Sequence, residues 1–150
     1  MKNKLILLGI SIIMTIAFLC GCQEQAVTTE QQFENISLYE SVDSPLVELA
    51  RASMTPKYGY LFEEDMVEPI EIVEKIEVTY RLHNIAGREL NISRTIEFYD
   101  EYDSLVATLE DAQLRNFPSD YTESMDNSVT LAGEQANNAK YIKIKVREIE

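Results

Sequence analysis

Side chains able to do chemistry are few in this chain of 150 residues. There is one imidazole, His83, and there are two thiols, Cys20 and Cys22. His83 stands beside Asn84 at the end of an alternating run, on the parity opposite the apolar face, and reads as a surface histidine. A Ser-His-Asp site would have to use it, and no Gly-x-Ser-x-Gly elbow accompanies it. One imidazole and no thiol after Cys22 leave too few ligands for a zinc site. Glu63-Glu64-Asp65 gathers three carboxylates, but without the spaced oxygens and turn glycine of a calcium loop, so it reads as a solvated acidic loop. Paired carboxylates could cleave glycosides, yet among so many nothing selects a pair. A phosphate-binding glycine loop is absent from the sequence. No catalytic residue and no metal ligand is assigned, no cofactor is expected, and the chain reads as non-enzymatic.

One cationic pattern stands out. Lys143, Lys145 and Arg147 alternate with Ile142, Ile144 and Val146, which puts a basic stripe on the outer face of a closing strand over residues 139–149. On an acidic chain the stripe most simply pairs with carboxylates of a neighbouring strand. It also suits an exposed edge strand that discourages aggregation. A phosphate or polymer site is the sharper rival.

The elements that precede these residues begin with an address. Lys2 and Lys4 give a basic start, residues 5–19 carry no charge, and Cys20-Gly21-Cys22 closes the run. That is the plan of a secretory signal. At about 1.5 Å per residue the run is too short for the roughly 30 Å hydrocarbon core. Leu19-Cys20-Gly21-Cys22 resembles the lipobox of bacterial lipoproteins: an aliphatic residue, a small residue, Gly or Ala, then Cys. The resemblance implies cleavage between Gly21 and Cys22 and a diacylglyceryl thioether, with palmitate-type acylation, on Cys22. It implies a protein lipid-anchored to the extracytoplasmic face of a bacterial cell membrane, most simply in a Gram-positive bacterium. Two or more acyl chains hold a protein stably where one does not. The Asn-x-Ser sequons at Asn35 and Asn91 are then incidental.

Loss of residues 1–21 leaves 11 basic residues against 26 acidic ones, a formal charge near −15. Such a chain lacks the clustered cations that a nucleic-acid backbone requires. Charge also opposes peripheral attraction to anionic lipid, so the partner implied is the membrane through its covalent anchor, with an envelope protein as a further partner. A domain without cysteine after residue 22 must be stable through its core alone.

Residues 22–32 read as a flexible tether and residues 33–150 as one domain. A first edge strand is expected over 33–39. Residues 43–54 read as strand rather than short helix, ended by Thr55-Pro56, and 57–69 as an exposed connection. Ile70, Ile72, Ile76, Val78, Tyr80 and Leu82 hold even positions, broken only at Val73-Glu74. Leu90, Ile92, Ile96 and Phe98 repeat the pattern, with Arg94 interrupting it at a rim. Period two with one apolar face marks half-buried strands. With Asn84 to Arg88 as a turn and a short strand over 105–109, an antiparallel meander is expected. Leu114 and Phe117 are candidate core plugs, residues 129–131 a further strand, and residues 133–138 a polar turn or brief helix. The fold class expected is an all-β antiparallel sandwich.

The run Ile76-Glu77-Val78-Thr79-Tyr80-Arg81-Leu82-His83-Asn84, then Gly87 and Leu90, then Ile96-Glu97-Phe98-Tyr99-Asp100 and Leu105-Val106, resembles the FxLYD-type immunoglobulin-like domains of bacterial lipoproteins. The resemblance covers about residues 46–146 and implies an extracytoplasmic sandwich without catalytic residues. Glu101-Tyr102-Asp103 stands where that pattern has a glycine, and the connection over 57–71 is longer than it expects. The function expected is a membrane-anchored binding module. The rivals are a small-ligand receptor or enzyme accessory protein, and an acidic immunity-type protein masking a basic partner.

Overall fold

The computed structural model describes residues 33–42, 44–62 and 68–150. The signal run, Cys22, the tether and the acidic triplet at 63–65 lie outside the described residues. Among the described residues seven strands and one short helix follow in order: β1 Ile36–Glu40, β2 Val47–Leu61, β3 Ile70–Asn84, β4 Leu90–Tyr99, β5 Leu105–Phe117, β6 Asn127–Ala132, α1 Glu134–Asn138 and β7 Tyr141–Glu148. They form a four-stranded sheet, β1-β7-β4-β5, and a three-stranded sheet, β2-β3-β6. All pairings are antiparallel except β1 with β7.

The expected all-β sandwich is what forms, and its core comes from the alternating faces. Ile76, Val78, Tyr80 and Leu82 of β3 face Leu90, Ile92, Ile96 and Phe98 of β4 and Ile142, Ile144 and Val146 of β7, all buried. Phe117 is buried with them and Leu114 packs alongside, so both do plug the core. Glu40, at the end of β1, is buried too. Its carboxylate accepts the backbone N–H of Leu46 (2.8 Å) and Val47 (3.1 Å), which fixes the entry into β2.

Several expectations need correction. The meander is one: β3 and β4 lie in different sheets, so the Asn84–Arg88 connection crosses over the end of the core instead of closing a hairpin. Asn84 is no surface turn residue. Its buried amide donates to Arg88 O and Phe117 O, both at 2.8 Å, and its carbonyl accepts Ala86 N–H. Gly87 supplies the left-handed residue of that crossing, at φ 72°. Strand β5 is 13 residues long and runs to Phe117. Its irregular polarity follows from its place at a sheet edge, where it need not alternate strictly.

The largest correction concerns β2. Thr55-Pro56 does not end it, and residues 57–61 of the supposed connection are strand. Pro56 is accommodated because β2 is the outer strand of its sheet, where a missing N–H need not break a ladder. The break in alternation at Val73-Glu74 is a β-bulge. Lys57 pairs with Lys75 and Tyr58 with Val73, leaving Glu74 as the extra residue. Gly59 lies beneath it, where an added Cβ would stand 3.1 Å from the Glu74 carboxylate.

Candidate interaction surface

The ends of the sandwich differ. Strand β6 pairs with β3 only from Tyr80 to Lys75. Beyond Lys75, β2 and β3 continue as a two-stranded arm, Tyr58 with Val73 through Leu61 with Ile70. Five residue steps at about 3.3 Å carry that arm roughly 17 Å past the end of β6. Helix α1 braces its root, where Asn137 Oδ1 accepts Val73 N–H at 3.1 Å and Glu74 O accepts Gly133 N–H at 2.9 Å. Further out, the apolar side chains have no core to meet. Tyr58 is 60% exposed, Tyr60 62%, Phe62 76%, Ile70 50% and Leu61 40%. A cluster of this kind is what interaction surfaces present. The sequence signal was available in Tyr58-Gly59-Tyr60-Leu61-Phe62: alternating apolar residues continue past the proline.

The basic stripe resolves differently. Strand β7 is central to its sheet, which removes the edge reading. Lys145 binds Glu97 on neighbouring β4 at 2.9 Å, as cross-strand pairing requires, and Lys143 lies 3.4 Å from Asp103. Tyr99 and Tyr141 stack with centroids 5.3 Å apart, and Lys143 Nζ sits 4.3 Å from the Tyr99 ring centroid. Tyr141 donates to Asp103, and Tyr99 to Glu97. The Tyr141 hydroxyl and Lys143 hold the Asp103 carboxyl below its usual range. Burial pushes the Glu97 carboxyl up, but Tyr99 and Lys145 outweigh it and leave it lowered. Burial and the Glu97 carboxylate raise the Tyr99 hydroxyl to about 12. Two of the three cations thus already face carboxylates, one on β4 and one in the β4–β5 turn, which weakens the phosphate-polymer reading. A pocket of about 440 Å³ adjoins the stripe, crossed by Tyr39, Lys145, Thr95 and Glu110, which share one cross-strand row.

Arg94 is not at a rim. It is 4% exposed, between the sheets, 5.8 Å from the Tyr80 ring centroid. It binds Glu123 at 2.9 Å and Ala112 O at 2.6 and 3.1 Å, with Asp111 at 3.7 Å. Tyr80 donates to Asp111, and Glu123 also accepts Leu82 N–H and Asn127 Nδ2. Each buried side-chain nitrogen and oxygen among the described residues has a partner, so the cluster holds β3, β4, β5 and the β5–β6 loop together.

His83 accepts or donates at Nδ1 to Thr122 Oγ1 (2.9 Å), and Nε2 lies 3.4 Å from Asp120. Hydroxyl, imidazole and carboxylate follow one another as in a hydrolase triad. However, the Asp120 side chain is 95% exposed and cannot act as a buried orienting group. Among the described residues no group of three or more His, Cys, Asp or Glu could hold a metal ion. Among them too, no helix is long and apolar enough to cross a membrane. The predicted lipid site, Cys22 with Gly21 before the cut, lies outside the described residues. No family model, curated protein or solved structure matches the chain.

Proposed function

We propose that this protein is a bacterial lipoprotein, anchored through Cys22 at the extracytoplasmic face of the cell membrane, whose immunoglobulin-like sandwich serves as a non-catalytic binding module. The observation that carries the binding half is the β2–β3 arm, which leaves the core and exposes Tyr58, Tyr60, Leu61, Phe62 and Ile70. Exposed aromatic side chains on a paired ribbon give a large contact area to a partner. The anchor half is supported by Leu19-Cys20-Gly21-Cys22 at the end of a short uncharged run. The alternatives, a small-ligand receptor or a charge-masking immunity protein, have weaker support. The pocket beside the stripe is lined almost wholly by polar side chains, and its Lys145 is already paired with Glu97.

Intact mass of membrane-extracted protein tests the anchor. Wild type should have lost 21 residues and gained diacylglyceryl mass, and Cys22→Ala should carry no acyl group. Full-length, unmodified wild type would contradict the reading.

A further inference from the structure

A second site lies on the outer face of the four-stranded sheet, apart from the arm, which belongs to the other sheet. Strands β4 and β5 lose register there. Ile92 pairs with Leu114 and Arg94 with Asp111, so Ser93 faces two residues, Ala112 and Gln113. Such bulges bend a sheet and recur beside functional sites, where they re-aim side chains. This one is held from within. Buried Arg94 donates from Nε and Nη2 to the carbonyl of Ala112, at 3.1 and 2.6 Å. The pocket of about 440 Å³ beside the basic stripe opens over the bulge and takes in Ser93, Gln113, Glu110 and Arg147.

Most charges in this pocket are already matched. Lys145 meets Glu97, and Asp111 accepts the Tyr80 hydroxyl and lies 3.7 Å from Arg94. The two left over are opposite in sign. Among the described residues no carboxylate pairs with Arg147, the third cation of the stripe, and no cation pairs with Glu110. Both side chains are exposed. Arg147 stands on β7 opposite Ser93, and Glu110 on β5 opposite Thr95, with β4 between them. Two strand spacings and two residue steps set their backbones about 12 Å apart. Side chains upright from the sheet keep the charged heads at about that distance.

An anion alone would be repelled by Glu110, and a cation alone by Arg147. A zwitterion meets both. Length selects further. An extended dipeptide spans about 7 Å between its charged termini, and a contact of roughly 3 Å at each end fills the gap. A single amino acid falls short, and a tripeptide overruns. Ser93 and Thr95 stand on the strand between the two charges, where a bound peptide group needs hydrogen-bond partners. We infer that the bulge pocket binds a dipeptide with both termini free, its carboxylate on Arg147 and its ammonium on Glu110. The site needs neither the lipid anchor nor a partner for the arm.

The test is calorimetric titration of the purified full chain with L-alanyl-L-alanine, beside its N-acetylated and its C-terminally amidated forms. The free dipeptide should bind saturably in the millimolar range or below, and each cap should weaken binding at least tenfold. Arg147→Gln should weaken the free dipeptide and leave the amide cap costing less than twofold. Glu110→Gln should do the same for the acetyl cap. Both positions are exposed, so circular dichroism of each variant should match wild type. No saturable binding of the free dipeptide, equal binding of the capped forms, or caps that cost as much in the variants as in wild type would each overturn the inference. So would trialanine binding as tightly as the dipeptide.

Discussion

At the scale of single residues, three buried polar groups decide what the fold tolerates. Arg94 faces two carboxylates inside the sandwich, so Arg94→Ala leaves Asp111 and Glu123 without their cation. The expected loss is about 3–5 kcal/mol of unfolding free energy, read by urea denaturation. A change below about 1 kcal/mol would place the cluster in contact with bulk water instead. Glu40 carries a pH signature. Burial raises its carboxyl pKa, and the Leu46 and Val47 N–H groups only partly offset that. A carboxyl with a raised folded pKa contributes stability at low pH that is lost as pH rises through that value. Wild type should therefore lose more stability than Glu40→Gln does as pH rises above the ordinary carboxylate range. Equal slopes would show that Glu40 titrates as an exposed acid. Glu97 and Asp103 act in the opposite sense, with lowered pKa values whose contribution fades as pH falls through the acid range. None of these three buried roles was legible in the sequence. Arg94 looked like a rim residue because a charge interrupting an apolar face is usually exposed. Asn84 looked like turn punctuation because the residues that satisfy it, Arg88 and Phe117, meet it only through tertiary structure.

At the scale of elements, the strands with strict alternation were the readable ones. Strands β3, β4 and β7 sit at the centre of the sandwich or pair on two sides, so each residue's parity is enforced by burial. Edge strands escape that rule. Strand β2 continues through Pro56 and β5 through Asp111 and Arg115 because one side of each is open to water. The arm is the extreme case, held by pairing and a bulge with almost no core beneath it. Two substitutions separate arm from core. Replacing residues 60–71 by Asn-Gly, a dipeptide suited to a tight hairpin between the paired Gly59 and Ile72, should shift unfolding free energy by less than about 1 kcal/mol. Ile76→Ala, at a buried β3 position, should cost about 2–5 kcal/mol. A large loss from the shortened arm would mean that the tip serves the fold and is not free for a partner.

At the scale of the whole molecule, the arrangement is an acidic sandwich with one apolar, projecting end, at which the first described residue, Phe33, and the start of β1 lie. Orientation follows from chain connectivity more than from any single contact. The measurement that tests it most directly is the distance of each end from the bilayer. Cys22 is the last cysteine of the chain, so once it is acylated a single introduced thiol takes a fluorescent label cleanly. Full-length protein with Phe62→Cys or Met125→Cys is labelled in the membrane, and energy transfer to acceptor lipids is compared. Stronger transfer from position 62 than from position 125 is the result expected if the arm faces the membrane. Equal transfer, or stronger transfer from position 125, would contradict the account.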